Sequence, residues 1–278
     1  MQWVEEGFTV GVLGRRHSGK SVLMKELMFH TRHRFPLVIV MTGTKFNRWY
    51  EGWTPPGCVM DGYKEAVVEK LLARQRRILD TNRTLPPTEH TNPNVLLVLD
   101  DVVGEREAQG SHVLQQIFTT GRHLHVTIVL ATQHVTARLY PPALRVNTDL
   151  VFVYAQTAEE SIDVIAGQWL CGVGTKREGI AHLHAITRST AYCALVIHAR
   201  KAATARTLHE YTCPHVARMD LPPFHVCAKL YWRGHRPLDD PPRKRLHQRA
   251  WAWITSWFAE EDTDDKHPSP EKEKTAGT

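Results

Sequence analysis

Eight residues constrain this chain more than any others: Gly14-Arg15-Arg16-His17-Ser18-Gly19-Lys20-Ser21. They satisfy the pattern GxxxxGK[ST]. They lie between an apolar run, Phe8 to Leu13, and a stretch from Gly19 to about His33 whose apolar residues Val22, Leu23, Leu27 and Met28 recur at helical spacing. Strand, glycine-bounded loop, helix is a cradle for phosphate. Gly14 and Gly19 permit the close turn, the backbone from Ser18 through Gly19, Lys20 and Ser21 to Val22 wraps the anion, and the helix presents its positive end. In such a loop Lys20 would reach the β and γ phosphates and the Ser21 hydroxyl would sit on magnesium. The competing reading is a glycine turn that binds nothing.

The rest of the chain alternates strands and helices, as an α/β fold requires. Pro36 to Met41 is a second apolar run, of the continuous kind found in sheets covered on both faces. Thr42 to Gly62, with Trp49, Tyr50, Trp53, Pro55 and Pro56, reads as a loop. Its aromatics, beside Lys45 and Arg48, would either pack on the domain or stack on bases. Lys64 to Leu79 is predicted to be a surface helix with a basic face, and Thr81 to Pro93 a polar connection. A helix is predicted over Gln109 to Thr120 and strands over Val126 to Ala131 and Leu150 to Tyr154. Thr157 and Glu160 have the spacing of a capping box. Ala191 to His198 is predicted as a last strand closing one edge of the sheet.

The second informative stretch is Val95-Leu-Leu-Val-Leu-Asp100-Asp101, an apolar strand ending in two acids. Asp100 is placed to hold magnesium, and Asp101 stands where a carboxylate would polarise an attacking water. The strand from Val126 ends in Thr132-Gln133, and a polar side chain there would sense the terminal phosphate or orient water. Arg122 precedes the same strand and therefore lies at its opposite end. It is too far from its own nucleotide but is able to reach a neighbour's; the plain alternative is a surface arginine at a helix end.

The net charge of +6 hides a split. From Glu260 to Thr278 seven acids face three lysines, a balance of −4, so residues 1–259 carry +10, which suits a polyanionic partner. Tyr231 to Arg249 gathers arginines, and Trp251, Trp253, Trp257 and Phe258 follow on an amphipathic helix. These read either as phosphate attraction with base stacking or as a docked, solvated helix. The acidic tail, with Pro268 and Pro270, is expected to be disordered. The expected domains are therefore 1–200, a basic Trp-rich extension over 201–258, and a tail over 259–278. Five scattered cysteines argue for a reducing compartment. Cys213, His215, His225 and Cys227 could nominally ligate zinc, but their spacing matches no common finger. No run is long and apolar enough to span a membrane, and no signal peptide is evident, so an intracellular location is expected.

Gly14 to Ser21, Leu97-Val-Leu-Asp-Asp101, and Thr120-Gly-Arg-His123 leading into Ile128-Val-Leu-Ala-Thr-Gln133 together resemble the viral genome-packaging ATPases of the FtsK/HerA superfamily. These include the poxvirus A32-like ATPases of large DNA viruses. The resemblance covers roughly residues 7 to 198. It implies a RecA-like P-loop NTPase core, a mainly parallel sheet flanked by helices, using ATP and magnesium. It implies Lys20, Asp101, Gln133 and Arg122 as catalytic residues, Arg122 acting across a subunit boundary. It further implies a homo-oligomeric ring, hexamer or pentamer, driving double-stranded DNA into a capsid with viral capsid proteins as partners, in the cytoplasm or nucleus of an infected host cell and in association with the virion. One departure matters: many members carry Glu where Asp101 stands, which leaves Glu105 and Glu107 as rival catalytic acids. The rival functions are a P-loop kinase of nucleotides or small molecules and a non-hydrolysing DNA-anchoring protein.

Overall fold

A computed structural model describes residues 4–233, apart from Val103 and residues 137–139. The basic segment beyond Arg233, its tryptophans and the acidic tail lie outside the described residues. Eight strands form one sheet: β1 (Thr9–Leu13), β2 (Leu37–Thr42), β3 (Val59–Asp61), β4 (Val95–Asp100), β5 (Val126–Thr132), β6 (Leu150–Val153), β7 (Cys193–His198) and β8 (Thr212–Val216), in the order β3-β2-β4-β5-β1-β6-β7-β8. β3 through β6 in that order run parallel, while β7 and β8 are antiparallel to their neighbours. The helices are α1 (Lys20–Thr31), α2 (Glu65–Thr84), α3 (His112–Thr120), α4 (Pro142–Val146), α5 (Glu159–Ile165) and α6 (Lys176–Thr187).

Strand periodicity sorts the core into two layers. Ile39, Leu97, Leu99 and Ile128 face Val68 and Leu71 of α2, Ile117 and Phe118 of α3 and Leu183 of α6. Val38, Val40, Leu96, Val98 and Val129 face the other way, toward Leu23, Met24 and Leu27 of α1. Covering on both faces explains why these strands read as unbroken apolar runs. Each such side chain contributes about 1.5–3 kcal/mol of burial. Among the described residues no helix is long and apolar enough to cross a membrane.

Four local expectations are corrected. The stretch from Thr42 to Gly62 is not all loop: Val59, Met60 and Asp61 pair in parallel with Val40, Met41 and Thr42, a strand too short to show periodicity. α2 runs on to Thr84, through polar residues that carry no apolar signal, and stops before Pro86. Thr157 caps nothing, since α5 begins at Glu159 after Ala158; the capping box forms instead between Thr175 and Glu178 at the start of α6. β7 is not an edge. β8 covers it, carrying the sheet past residue 200, and as an edge strand β8 tolerates Pro214. His215 of β8 bonds Glu26 of α1, Nε2 to Oε2 at 2.9 Å, and His30 lies 3.8 Å from the other oxygen, so that buried carboxylate has two partners.

Gln75 on α2 is fully buried. Its amide donates to the carbonyls of Pro93 and Leu124, tying the helix to the entry points of β4 and β5. Gln75→Leu keeps the volume but strands two partly buried carbonyls, so it should lower stability by about 1 kcal/mol, read as a lower urea midpoint at unchanged slope.

Candidate active site

β1 delivers the chain to the phosphate loop, and the loop's shape depends on two glycines. A Cβ at Gly14 would stand 2.6 Å from Ser18 Oγ and 2.9 Å from Tyr154 Cβ, closer than real atoms approach. Gly19 has φ 102 and is the residue from which α1 starts. Only glycine fits the first position, and the second favours it strongly. Lys20 folds back over the loop, its Nζ donating to Gly14 O at 2.6 Å and Arg15 O at 3.2 Å. Burial lowers the Lys20 pKa, and the charges of Asp101 and Asp100 act against that shift. Ser18 Oγ is buried without a hydrogen-bond partner among the described residues. An orphaned hydroxyl inside a turn closed over a lysine is what an anion's oxygens would satisfy, so these residues fit a nucleotide's phosphates. Ser21 and Val22 occupy the first turn of α1, where backbone N–H groups lack intrahelical partners.

β4 ends at Asp100, and the next residue turns sharply. Asp101 has φ 57, a left-handed conformation that few residues other than glycine adopt and that Asp tolerates. The turn brings Asp101 Oδ2 to 3.9 Å from Lys20 Nζ and 2.9 Å from Gln133 Nε2, which donates to it from the end of β5. Asp100 is 7% exposed, and its Oδ2 accepts the Tyr50 hydroxyl at 2.8 Å. Burial raises the Asp100 pKa, partly offset by the Tyr50 bond, and the Asp101 charge raises it further. Burial also pushes the Tyr50 hydroxyl well above its ordinary value, so it stays a donor.

Lys20, Asp100, Asp101 and Gln133 therefore meet at one edge of the sheet, as their spacing predicts. Arg122 does not join them. It is exposed on the turn Gly121–Leu124 that precedes β5, at the far edge. Of the rival acids, Glu105 accepts the Tyr63 N–H at 2.8 Å and also stands beside Gly43, near the Asp101 backbone, while Glu107 accepts the Glu65 N–H at 3.2 Å at the start of α2. Among the described residues no three His, Cys, Asp or Glu side chains gather as a metal cluster, so the four nominal zinc ligands do not assemble. Two neighbours of this cluster escape sequence reasoning. Tyr50 looks like one more aromatic in a loop. Tyr154, whose Cβ and ring crowd both glycines and whose hydroxyl donates to Gly19 O at 3.3 Å, looks like a strand end. The packing half of the expectation for the loop aromatics holds for Tyr50 and Trp53, which are buried, while Trp49 stays partly exposed.

The family model described as "Poxvirus A32 protein" matches residues 2–194. Protein 075L of Invertebrate iridescent virus 6 is 33% identical over 159 residues, 56% of this chain and 57% of that protein. Protein L437 of Acanthamoeba polyphaga mimivirus is 26% identical over 147 residues, 52% and 51% of the two chains. The chain thus spans about half the length of the curated relatives it matches. Among solved structures, the genome packaging NTPase B204 of Sulfolobus turreted icosahedral virus 2 in complex with AMPPCP superposes with a TM-score of 0.52 at 15% identity, over 77% of this chain and 100% of that one. The cytoplasmic domain of the type VII secretion ATPase EccC of Thermomonospora curvata gives 0.52 at 16%, over 85% of this chain and 30% of that one. At these identities the structures establish a shared P-loop fold.

Gly14→Ala should abolish nucleotide binding, measured by equilibrium titration, because the loop cannot close around Ser18 and Tyr154 with a Cβ in place. Asp100 carries a separate pH signature. A carboxyl whose folded pKa is raised adds stability at pH values below its unfolded pKa and loses that contribution as pH rises through the folded value. In nucleotide-free protein without divalent ions, Asp100→Asn should therefore raise the melting temperature relative to wild type more at pH 7 than at pH 4.

Proposed function

The chain belongs to the Poxvirus A32 protein family, and from that premise we propose that it is an ATP-driven translocase that moves double-stranded DNA into a viral capsid. The observation that carries the reading is the cluster of Lys20, Asp101 and Gln133 at the ends of β1, β4 and β5. B204, whose fold this chain shares, is a genome packaging NTPase solved with ATP analogues, which supports assigning the same class of ligand to this loop.

In this reading Ser18 to Val22 bind the triphosphate and Lys20 leaves its two loop carbonyls to neutralise charge on the transferred phosphate. Ser21 and Asp100 would hold magnesium, which when bound supplies a positive charge that withdraws electron density from the phosphate oxygens. Asp101, held by the Gln133 amide, accepts a proton from the attacking water. Its shorter reach than Glu is met by the left-handed turn that already brings the carboxylate to Lys20. Gln133 would register the terminal phosphate by exchanging its bond to Asp101 for one to water or phosphate. Arg122, at the wrong edge for its own site, serves the neighbour's in a homo-oligomeric ring, pentamer or hexamer. The basic body suits a duplex at the centre of that ring, with viral capsid proteins as the docking partner in an infected host cell.

The purified chain should hydrolyse ATP faster with duplex DNA present. Lys20→Ala should lower turnover about 100-fold or more, and Arg122→Ala should do so only in the assembled state. Mixing Arg122→Ala with Lys20→Ala subunits should restore part of the activity, since each supplies what the other lacks. No restoration at any ratio would remove the assignment of Arg122 in trans, and hydrolysis indifferent to DNA would remove the translocase.

A further inference from the structure

Tyr192 is an exposed aromatic held in an unfavourable backbone conformation. Its backbone lies in the left-handed region, φ 60, and its side chain is 61% exposed. A bulky residue adopts that conformation at a cost, and here little burial offsets it; such outliers collect where a ligand is held. The position is equally specific. Tyr192 ends the turn between α6 and β7, and a Cβ built on Gly19 would lie 3.6 Å from the Tyr192 Cβ. The tyrosine therefore borders the residue at which α1 begins.

The sheet says which end of a nucleotide would arrive there. β4, which leads into Asp101, lies two places from β1 on one side, with β5 between them. β7 lies two places from β1 on the other side, with β6 between them. Because β7 runs antiparallel, it starts at the edge where β1 and β4 end. Lys20 points to the Asp101 side, 3.9 Å away, which marks the terminal-phosphate end of the loop. A triphosphate with that orientation leaves the loop past Gly19 in the opposite direction, carrying its sugar and base toward Tyr192.

We propose that Tyr192 is the stacking platform for the base of the nucleotide held by the phosphate loop. This rests on reading that loop as a triphosphate site. Stacking uses the face of the base and not its hydrogen-bonding edge, so Tyr192 supplies affinity for purine nucleotides without choosing between adenine and guanine. The hydroxyl is dispensable and the ring is not.

The test compares binding of ATP, GTP and inorganic tripolyphosphate to the full chain. Tyr192→Asn removes the ring but suits the left-handed backbone, and Tyr192→Phe keeps the ring. In Tyr192→Asn, ATP and GTP should each bind about fivefold or more weakly, the loss of one base–aromatic stack, while tripolyphosphate binds as in wild type. Tyr192→Phe should match wild type for all three. Unchanged ATP affinity in Tyr192→Asn would overturn the proposal. So would an equal loss for tripolyphosphate, which would make Tyr192 a prop for the loop. Lys20→Ala separates the two levels of inference: if it leaves tripolyphosphate binding intact, the phosphate-loop reading itself fails. If Lys20→Ala abolishes that binding but Tyr192→Asn spares ATP, only the base platform fails.

Discussion

Parallel pairing between β1, β5 and β4 is the constraint on which the site depends. Leu13 is level with Thr132, and Ala131 with Asp100, so three chain segments leave the sheet at the same height and side by side. Everything after that is local. Gly14 takes its first hydrogen bond from its N–H to Thr132 O, and Asp101 from its N–H to Ala131 O. Both turns are thus anchored on β5 before any side chain meets another. A shift of one residue in either register would rotate the acids to the other face of the sheet and separate them from Lys20.

The electrostatics of the cluster follow from this crowding. Two carboxylates and one ammonium occupy a space where Asp100 and Lys20 are nearly excluded from water. Burial disfavours the charged form of both, raising one pKa and lowering the other. Tyr50 and Gln133 each donate one hydrogen bond to one acid, which orients the carboxylates without adding charge. Such a cluster of desolvated charges is held at some cost in stability.

Much of this was legible in the sequence because the chemistry sits in contiguous motifs. Gly14 to Ser21 and Val95 to Asp101 state both an element and its terminus, and the ends of parallel strands meet by construction. What escaped was set by tertiary contact. Tyr50, Tyr154 and Tyr192 reach the site from segments remote in sequence, and no spacing announces that. β3 and β8 escaped for a related reason: three residues are too few for a period, and β8 is half exposed and interrupted by Pro214. Arg122 was placed correctly because its position relative to β5 is a matter of chain order alone. Helix starts were the least legible, as Thr157 and Thr175 show. Both precede an acid at the right interval, and only one of them caps.

β5 joins two of the residues discussed above. Arg122 stands just before it and Gln133 just after, and its seven residues are buried throughout. A strand of that length spans roughly 23 Å, and a strand locked between β4 and β1 moves only as a rod. A push at the arginine end would therefore arrive at the glutamine end undamped. The two ends of the sheet are thereby coupled through one buried strand: whatever displaces the turn at Arg122 along the strand axis also displaces Gln133 and, through its amide, the Asp101 carboxylate.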